Sequence, residues 1–178
     1  MNEEMYRLLQ SSGGFSRTNN FRVELALPSV LRSWYDVIDV VNLSCSATEL
    51  PGVSLETIEA GTGPSSKPEM AFASRQRNVD LNFYISKDYK ERALFQEWKD
   101  LIVDDVTQTV GYYDDYVGEL NIFPMKRGQG GIEYNTLIGS KLHQAYPKHI
   151  GNIQYSYDAD GQIAILPVTM TFYRYELF

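Results

Sequence analysis

Residues able to do nucleophilic or soft-ligand chemistry are few in this chain: one cysteine and two histidines among 178 residues. His143 and His149 lie in one region, but no cysteine or acidic pair brackets them at metal-ligand spacing, so they read as ordinary polar positions and no metal site is expected. Cys45 stands between Ser44 and Ser46 in an apolar stretch. It has no disulfide partner and reads as a small buried filler; a catalytic thiol would need one of the two histidines beside it. Asp114-Asp115, between Tyr113 and Tyr116, is a carboxylate pair, but adjacent residues on a turn point apart, and a turn capped by aspartates accounts for them better than acid/base work. The glycine-rich run at 61–66 (GTGPSS) lacks the Gly-Lys-Ser/Thr ending of a phosphate loop, and the run at 126–131 (KRGQGG) is followed by no clear helix to hold an anion. No Ser-His-Asp or Cys-His layout stands out. These residues imply no catalytic centre, no cofactor and no enzyme; the remaining enzymatic or ligand-binding class would be a monomeric β module with a closed pocket.

The elements point the same way. A short helix is expected over 2–10, with Met5, Leu8 and Leu9 on one side; it is too short to stand alone and must dock on something. Asn19–Leu27 alternates, with Phe21, Val23, Leu25 and Leu27 on one face, and Pro28 stops it. Val40–Ser46 reads as β-prone, Leu50-Pro51-Gly52 as a turn, and Val53–Glu59 as a second alternating strand. Gly61, Gly63, Pro64 and Pro68 break the pattern over 60–76, which is expected to be an extended arm or a long, partly ordered hairpin. Val79–Ile85 is a strand. The period then changes: Asp88 and Glu91 suggest a capping box, and Leu94, Phe95, Trp98, Leu101 and Ile102 form a helical stripe over about 88–104. Gly118–Met125 alternates, 126–131 is a turn, and 132–144 shows no dominant period. Asn152–Tyr157 and Ile163–Tyr175 read as two strands joined at Asp160-Gly161.

Composition sets the frame. The length suits a single domain over 1–178 with a real core. Thirteen tyrosines and eight phenylalanines favour pleated, half-buried surfaces and protein interfaces. Sixteen basic against 23 acidic residues give a formal charge of −7, the wrong balance for a protein that grips nucleic acid or an anionic membrane. The N-terminus has neither a basic start nor a long apolar run, so no signal peptide or membrane anchor is expected.

Several phrases in order resemble the tail tube proteins of contractile-tailed, T4-like bacteriophages. They are Phe15-Ser16-Arg17-Thr18-Asn19-Asn20-Phe21-Arg22-Val23-Glu24 at the first strand, and Cys45-Ser46-Ala47-Thr48-Glu49-Leu50-Pro51-Gly52 at the following turn. Asp80-Leu81-Asn82-Phe83-Tyr84-Ile85 comes next, before the helix with Phe95, Gln96, Glu97 and Trp98. Ala145-Tyr146-Pro147-Lys148-His149-Ile150-Gly151 then precedes Tyr155-Ser156-Tyr157-Asp158 and a final aromatic strand, Phe172-Tyr173-Arg174-Tyr175-Glu176. The resemblance spans about Phe15 to Glu176.

The resemblance implies a mainly β fold, an antiparallel β-sandwich or barrel with one packed α-helix, of the phage tail tube and secretion-tube (Hcp-like) kind. It implies a structural virion protein of the tail, made in the host cytoplasm, whose copies form hexameric rings stacked into a tube. The implied partners are further copies of itself, the tail sheath protein, and baseplate and tail-terminator proteins. DNA would pass through the lumen without specific binding, and an acidic wall would repel it. Glu56, Glu59, Glu119 and Glu133 are the candidates for such a wall, against the alternative that each is a solubilising charge. Met5, Leu8 and Leu9 in the segment 1–14, Gly61, Gly63, Pro64, Pro68 and Phe72 in the arm 60–76, and Tyr173 and Tyr175 are the candidates for subunit contacts. A baseplate tube-initiator and a type six secretion-like tube protein remain alternatives at this level.

Overall fold

The computed structural model describes residues 18–59, 68–76, 78–128, 131–134, 138–158 and 161–178, with 3, 4 and 7; the side chains of 75–76, 126–128 and 131–134 fall outside that description. In chain order the elements are β1 (Phe21–Ala26), a 3-10 segment (Ser29–Trp34), α1 (Ile38–Ser44), β2 (Cys45–Thr48), β3 (Val53–Glu59), β4 (Glu69–Gln76), β5 (Val79–Tyr84), α2 (Lys90–Ile102), α3 (Tyr113–Tyr116), β6 (Gly118–Gly128), β7 (Gly131–Tyr134), β8 (Ser140–Ile150), β9 (Ile165–Thr171) and β10 (Arg174–Leu177). The fold is mainly β, as expected: a curled antiparallel half-barrel with few helices.

The main sheet runs β1-β6-β8-β9-β5-β2, with β7 on β6 and β10 on β8; β3 and β4 form a separate pair. Alternation explains why these strands form where they do. Val23 and Leu25 of β1, Leu81 and Phe83 of β5, Leu120 and Ile122 of β6, and Leu166, Val168 and Met170 of β9 all face one core. Helix α2 closes that core with Leu94, Phe95 and Trp98, fully buried at the three- and four-residue spacing of one helix face. Phe95 lies between Phe83 and Trp98, with ring centroids 5.1 and 6.4 Å away. The Trp98 indole donates to the Tyr116 carbonyl at 2.7 Å, fixing α3 beside α2.

Four expectations are corrected. Asp88 does not cap α2: the position before the helix is Tyr89 in a left-handed conformation, and the buried Glu91 carboxylate instead accepts from Ser86 N–H at 3.0 Å and Ser86 Oγ at 2.8 Å. Val40–Ser44 is helical rather than extended, because Ile38, Val41 and Asn42 meet the body on one helix face while Val40 and Leu43 stay exposed; tertiary contact overrides the β-branched preference. Asp114 and Asp115 sit in the one-turn helix α3 rather than in a simple turn. Asn152–Tyr157 forms no strand. Its place beside β9 is taken by β8, which ends where Gly151 N–H reaches Pro167 O at 2.7 Å; a Cβ on Gly151 would lie 2.5 Å from the Pro167 ring.

Two registers run across breaks. Tyr146↔Thr171 and His143↔Arg174 are three residues apart on both strands, so β9 and β10 form one interrupted strand along β8. Thr48↔Leu81 and Val53↔Gln76 are five residues apart on both strands, so the β3–β4 hairpin prolongs the β2–β5 ribbon past Pro51. Of the residues expected as an arm, 60–67 lie outside the described residues and Glu69–Gln76 form β4.

Candidate assembly interface

Seven residues of β3 at ~3.3 Å each carry the β3–β4 hairpin roughly 20 Å beyond the main sheet. Alternation alone would leave one hairpin face apolar and one polar. Here Val53, Leu55 and Ile58 of β3 and Met70 and Phe72 of β4 are all exposed. A two-stranded ribbon with five uncovered large apolar side chains is marginal by itself and wants a covering surface.

The main sheet has two ends, β1 and β2. On β1 the Leu25 N–H points away from β6 and is taken by Asn42 Oδ1 of α1 at 2.9 Å. By the two-residue alternation, Phe21 and Val23 present their backbone groups on that same edge. β2 pairs with β5 on one side, through a bulge between Cys45 and Ala47, and forms the other edge. Such edges are templates for pairing with another chain.

The sheet surface opposite the core is charged. Across β1, β6, β8 and β10 the register aligns Glu24, Asn121, Lys141 and Glu176 in one row, and Ala26, Glu119, His143 and Arg174 in the next. Lys141 reaches Glu119 at 2.9 Å, His143 Nε2 meets Glu176 at 3.0 Å and His143 Nδ1 meets Glu119 at 3.4 Å. Arg174 lies 3.5 Å from Glu176, and Arg22 3.0 Å from Glu24. The hydrogen bond from Lys141 holds the Glu119 carboxyl below its ordinary value, and the contact with His143 does the same for Glu176.

A shallow hollow of about 370 Å³ opens where the irregular residues 152–156 and 162–164 pass the sheet. Asn82, Asn152, Gln154 and Tyr155 line it with Ile163, Ile165 and Pro167.

The structure separates the sequence-level candidates. Glu56, half-buried, and Glu59, exposed, lie on the hairpin, whereas Glu119 sits in the charged rows; the Glu133 side chain on β7 is outside the described residues. Pro68 and Phe72 are exposed on the hairpin. Tyr173 is exposed at the break between β9 and β10, and Tyr175 is half-buried in β10. Met5, Leu8, Leu9, Gly61, Gly63 and Pro64 lie outside the described residues; Glu3, Glu4 and Arg7 are helical and exposed. Cys45 is half-buried, and burial pushes its thiol up to about 12. His143 belongs to the charged rows and His149 is exposed. Among the described residues no group of three His, Cys, Asp or Glu could hold a metal, and no helix is long and apolar enough to cross a membrane.

Sequence reasoning missed Leu55, Ile58 and Met70 as surface groups, and missed the hollow. For the hairpin a signal was present: both parities of β3 carry large apolar residues, Leu55 on one and Ile58 on the other, which no single-faced core can bury.

Comparison with known proteins agrees with this architecture. The family model described as phage tail tube protein matches residues 16–177. A search of the curated proteins finds no match. Among solved structures, one chain of the PVC sheath–tube complex, an extracellular contractile injection system in its extended state, is 15% identical with a TM-score of 0.64; the alignment covers 92% of this chain and 91% of that one. A chain of the anti-feeding prophage tube-terminating cap is also 15% identical, with a TM-score of 0.65 and the same coverages. A chain of the anti-feeding prophage baseplate is 9% identical, with a TM-score of 0.60, covering 92% and 95%. At these identities the likeness is one of fold.

Proposed function

This chain belongs to the phage tail tube protein family, its role is structural, and we propose that the whole chain, 1–178, acts as one tube-building domain. Copies join as hexameric rings, and the rings stack into a tube that conducts DNA during ejection inside a contractile sheath. The observation that carries this reading is the β3–β4 hairpin, a ribbon of exposed apolar side chains that continues the body's own strands outward. The edges of β1 and β2 support it: neighbours adding to both edges would extend the half-barrel into a larger closed barrel, which leaves a channel and removes the edges.

In this tube the charged rows of β6, β8 and β10 line the lumen, with Glu119 and, on the adjoining strand β7, Glu133. Glu56 and Glu59 serve on the hairpin. Arg22, Lys141 and Arg174 each lie beside a carboxylate, so these cations are not free to hold the phosphates of a passing polyanion. Catalysis needs no part of this; geometry and surface charge suffice. The subunit contacts are assigned to 1–14, to 60–76 and to Tyr173 and Tyr175, and the external partners to sheath, baseplate and terminator proteins.

The test is negative-stain electron microscopy of the purified full chain and of a form lacking 61–68. The full chain should give rings and tubes, and the deletion a folded monomer. Tubes from the deletion would remove the arm from the assembly, and a full chain that stays monomeric at every concentration would overturn the reading. A second reading, a tube-initiating baseplate subunit, draws on the likeness to a baseplate chain. Copy number separates the two: a few copies per particle for an initiator, many for the tube.

A further inference from the structure

The hairpin and the hollow lie at opposite ends of one ribbon. The hairpin leaves the sheet at the Val79 end of β5, whereas the hollow lies toward the Tyr84 end, beside Asn82 and its partner Pro167. The eight residues of β4 and six of β5 together span roughly 45 Å at ~3.3 Å per residue. A hairpin directed away from the hollow cannot fill it on its own molecule, so any contact between the two is made between copies.

Their chemistries fit. The hollow offers the side-chain amides of Asn152, Gln154 and Gln162, which have no polar partner among the described residues, next to the apolar Ile163, Ile165 and Pro167. Amide groups beside apolar side chains suit an incoming extended strand, since they can bond its backbone edge while it buries alternate side chains. The hairpin supplies such strands, with two outer edges and five exposed apolar residues. Charge agrees as well. The strands of the hairpin carry Glu56, Glu59 and Glu69 against Arg75, a net negative charge, and cations flank the hollow. Arg92 donates to the Gly151 carbonyl at 3.3 Å and has no carboxylate partner among the described residues. Lys87 follows two residues after Ile85, whose N–H bonds Ala164 O, and has none either.

We propose that the β3–β4 hairpin of one copy docks in the hollow that residues 152–156 and 162–164 form with the sheet of the next copy. The contact joins unlike surfaces, so each copy gives one hairpin and receives another, and the contact propagates. The proposal rests on the tube-building reading and names the acceptor within it.

Cross-linking between chains tests it. In a Cys45→Ala parent, chains bearing Ile58→Cys are mixed with chains bearing Ile163→Cys, assembled, oxidised and separated without reductant. Docking should raise the local thiol concentration enough for about a hundredfold more mixed dimer than Ile58→Cys gives with Val106→Cys, a control on the exposed loop after α2. Tubes that form with no such excess would overturn the acceptor assignment and leave the tube reading standing. A parent that never forms tubes would overturn the tube reading, and the docking with it.

Discussion

Substituting Leu55→Ser together with Phe72→Ser should abolish assembly while leaving the monomer folded. Fully burying a large apolar side chain is worth about 1.5–3 kcal/mol. Leu55 is 63% and Phe72 65% exposed in the single chain, so most of that gain is still unrealised before a neighbour arrives. Burying the remainder would contribute about 1–2 kcal/mol per residue, or about 2–4 kcal/mol for the pair at each contact. At 1.4 kcal/mol per factor of ten, the pairwise association constant should fall by about 30-fold to nearly a thousandfold. The monomer has little to lose, since exposed substitutions typically cost within about 0.5 kcal/mol each, which corresponds to a melting-temperature change of under about 4 °C in a domain of this size. Sedimentation velocity across a concentration series reads assembly, and thermal unfolding followed by circular dichroism reads the fold. The reasoning is refuted if the double variant assembles at the wild-type concentration, or if the monomer melts far lower, which would mean that these side chains pack within their own chain.

Trp98→Phe should cost about 1–3 kcal/mol from its lost 2.7 Å bond to Tyr116 O, with any void adding to that, seen as a melting temperature lower by roughly 2–12 °C. The carboxyls of Glu119 and Glu176 are held below their ordinary value of 4.5, so the stability they add is present above that pH and is lost as pH falls through their lower folded values. Amide exchange, corrected for intrinsic rate, should therefore show the β6–β8 and β8–β10 pairings weakening as the pH falls below about 4.5; pairings equally protected at about pH 6 and about pH 3 would contradict the assignment. With its thiol pushed up to about 12 and half-buried, Cys45 should react with a disulfide reagent at pH 8 at least about tenfold more slowly in the folded chain than in urea, the smaller thiolate fraction outweighing the higher nucleophilicity of a more basic thiolate.

Local pattern was enough for β1, β5, β6 and α2, because each puts apolar residues at a clean period against one core: Val23 and Leu25, Leu81 and Phe83, Leu120 and Ile122, then Leu94, Phe95 and Trp98. The ordered phrases from Phe15 to Glu176 also carried the family, which a match over 16–177 shares. The sequence could not announce α1, whose β-branched residues are helical only because Val41 reaches the core and Asn42 reaches the edge of β1. Nor could it announce β8, where a bulge, the left-handed Gln144 and Pro147 interrupt the alternation, and where the partners β6, β9 and β10 come from both sides in sequence. The same limit hid the charged rows: Glu119, His143 and Glu176 are far apart in the chain and meet through strand register. The hollow was hidden in the same way, since Asn82, Asn152, Gln154 and Ile163 line it together only in the packed chain. Periodicity reports which face of an element is apolar; which neighbour covers that face, and which face remains for another molecule, is a property of the packed chain.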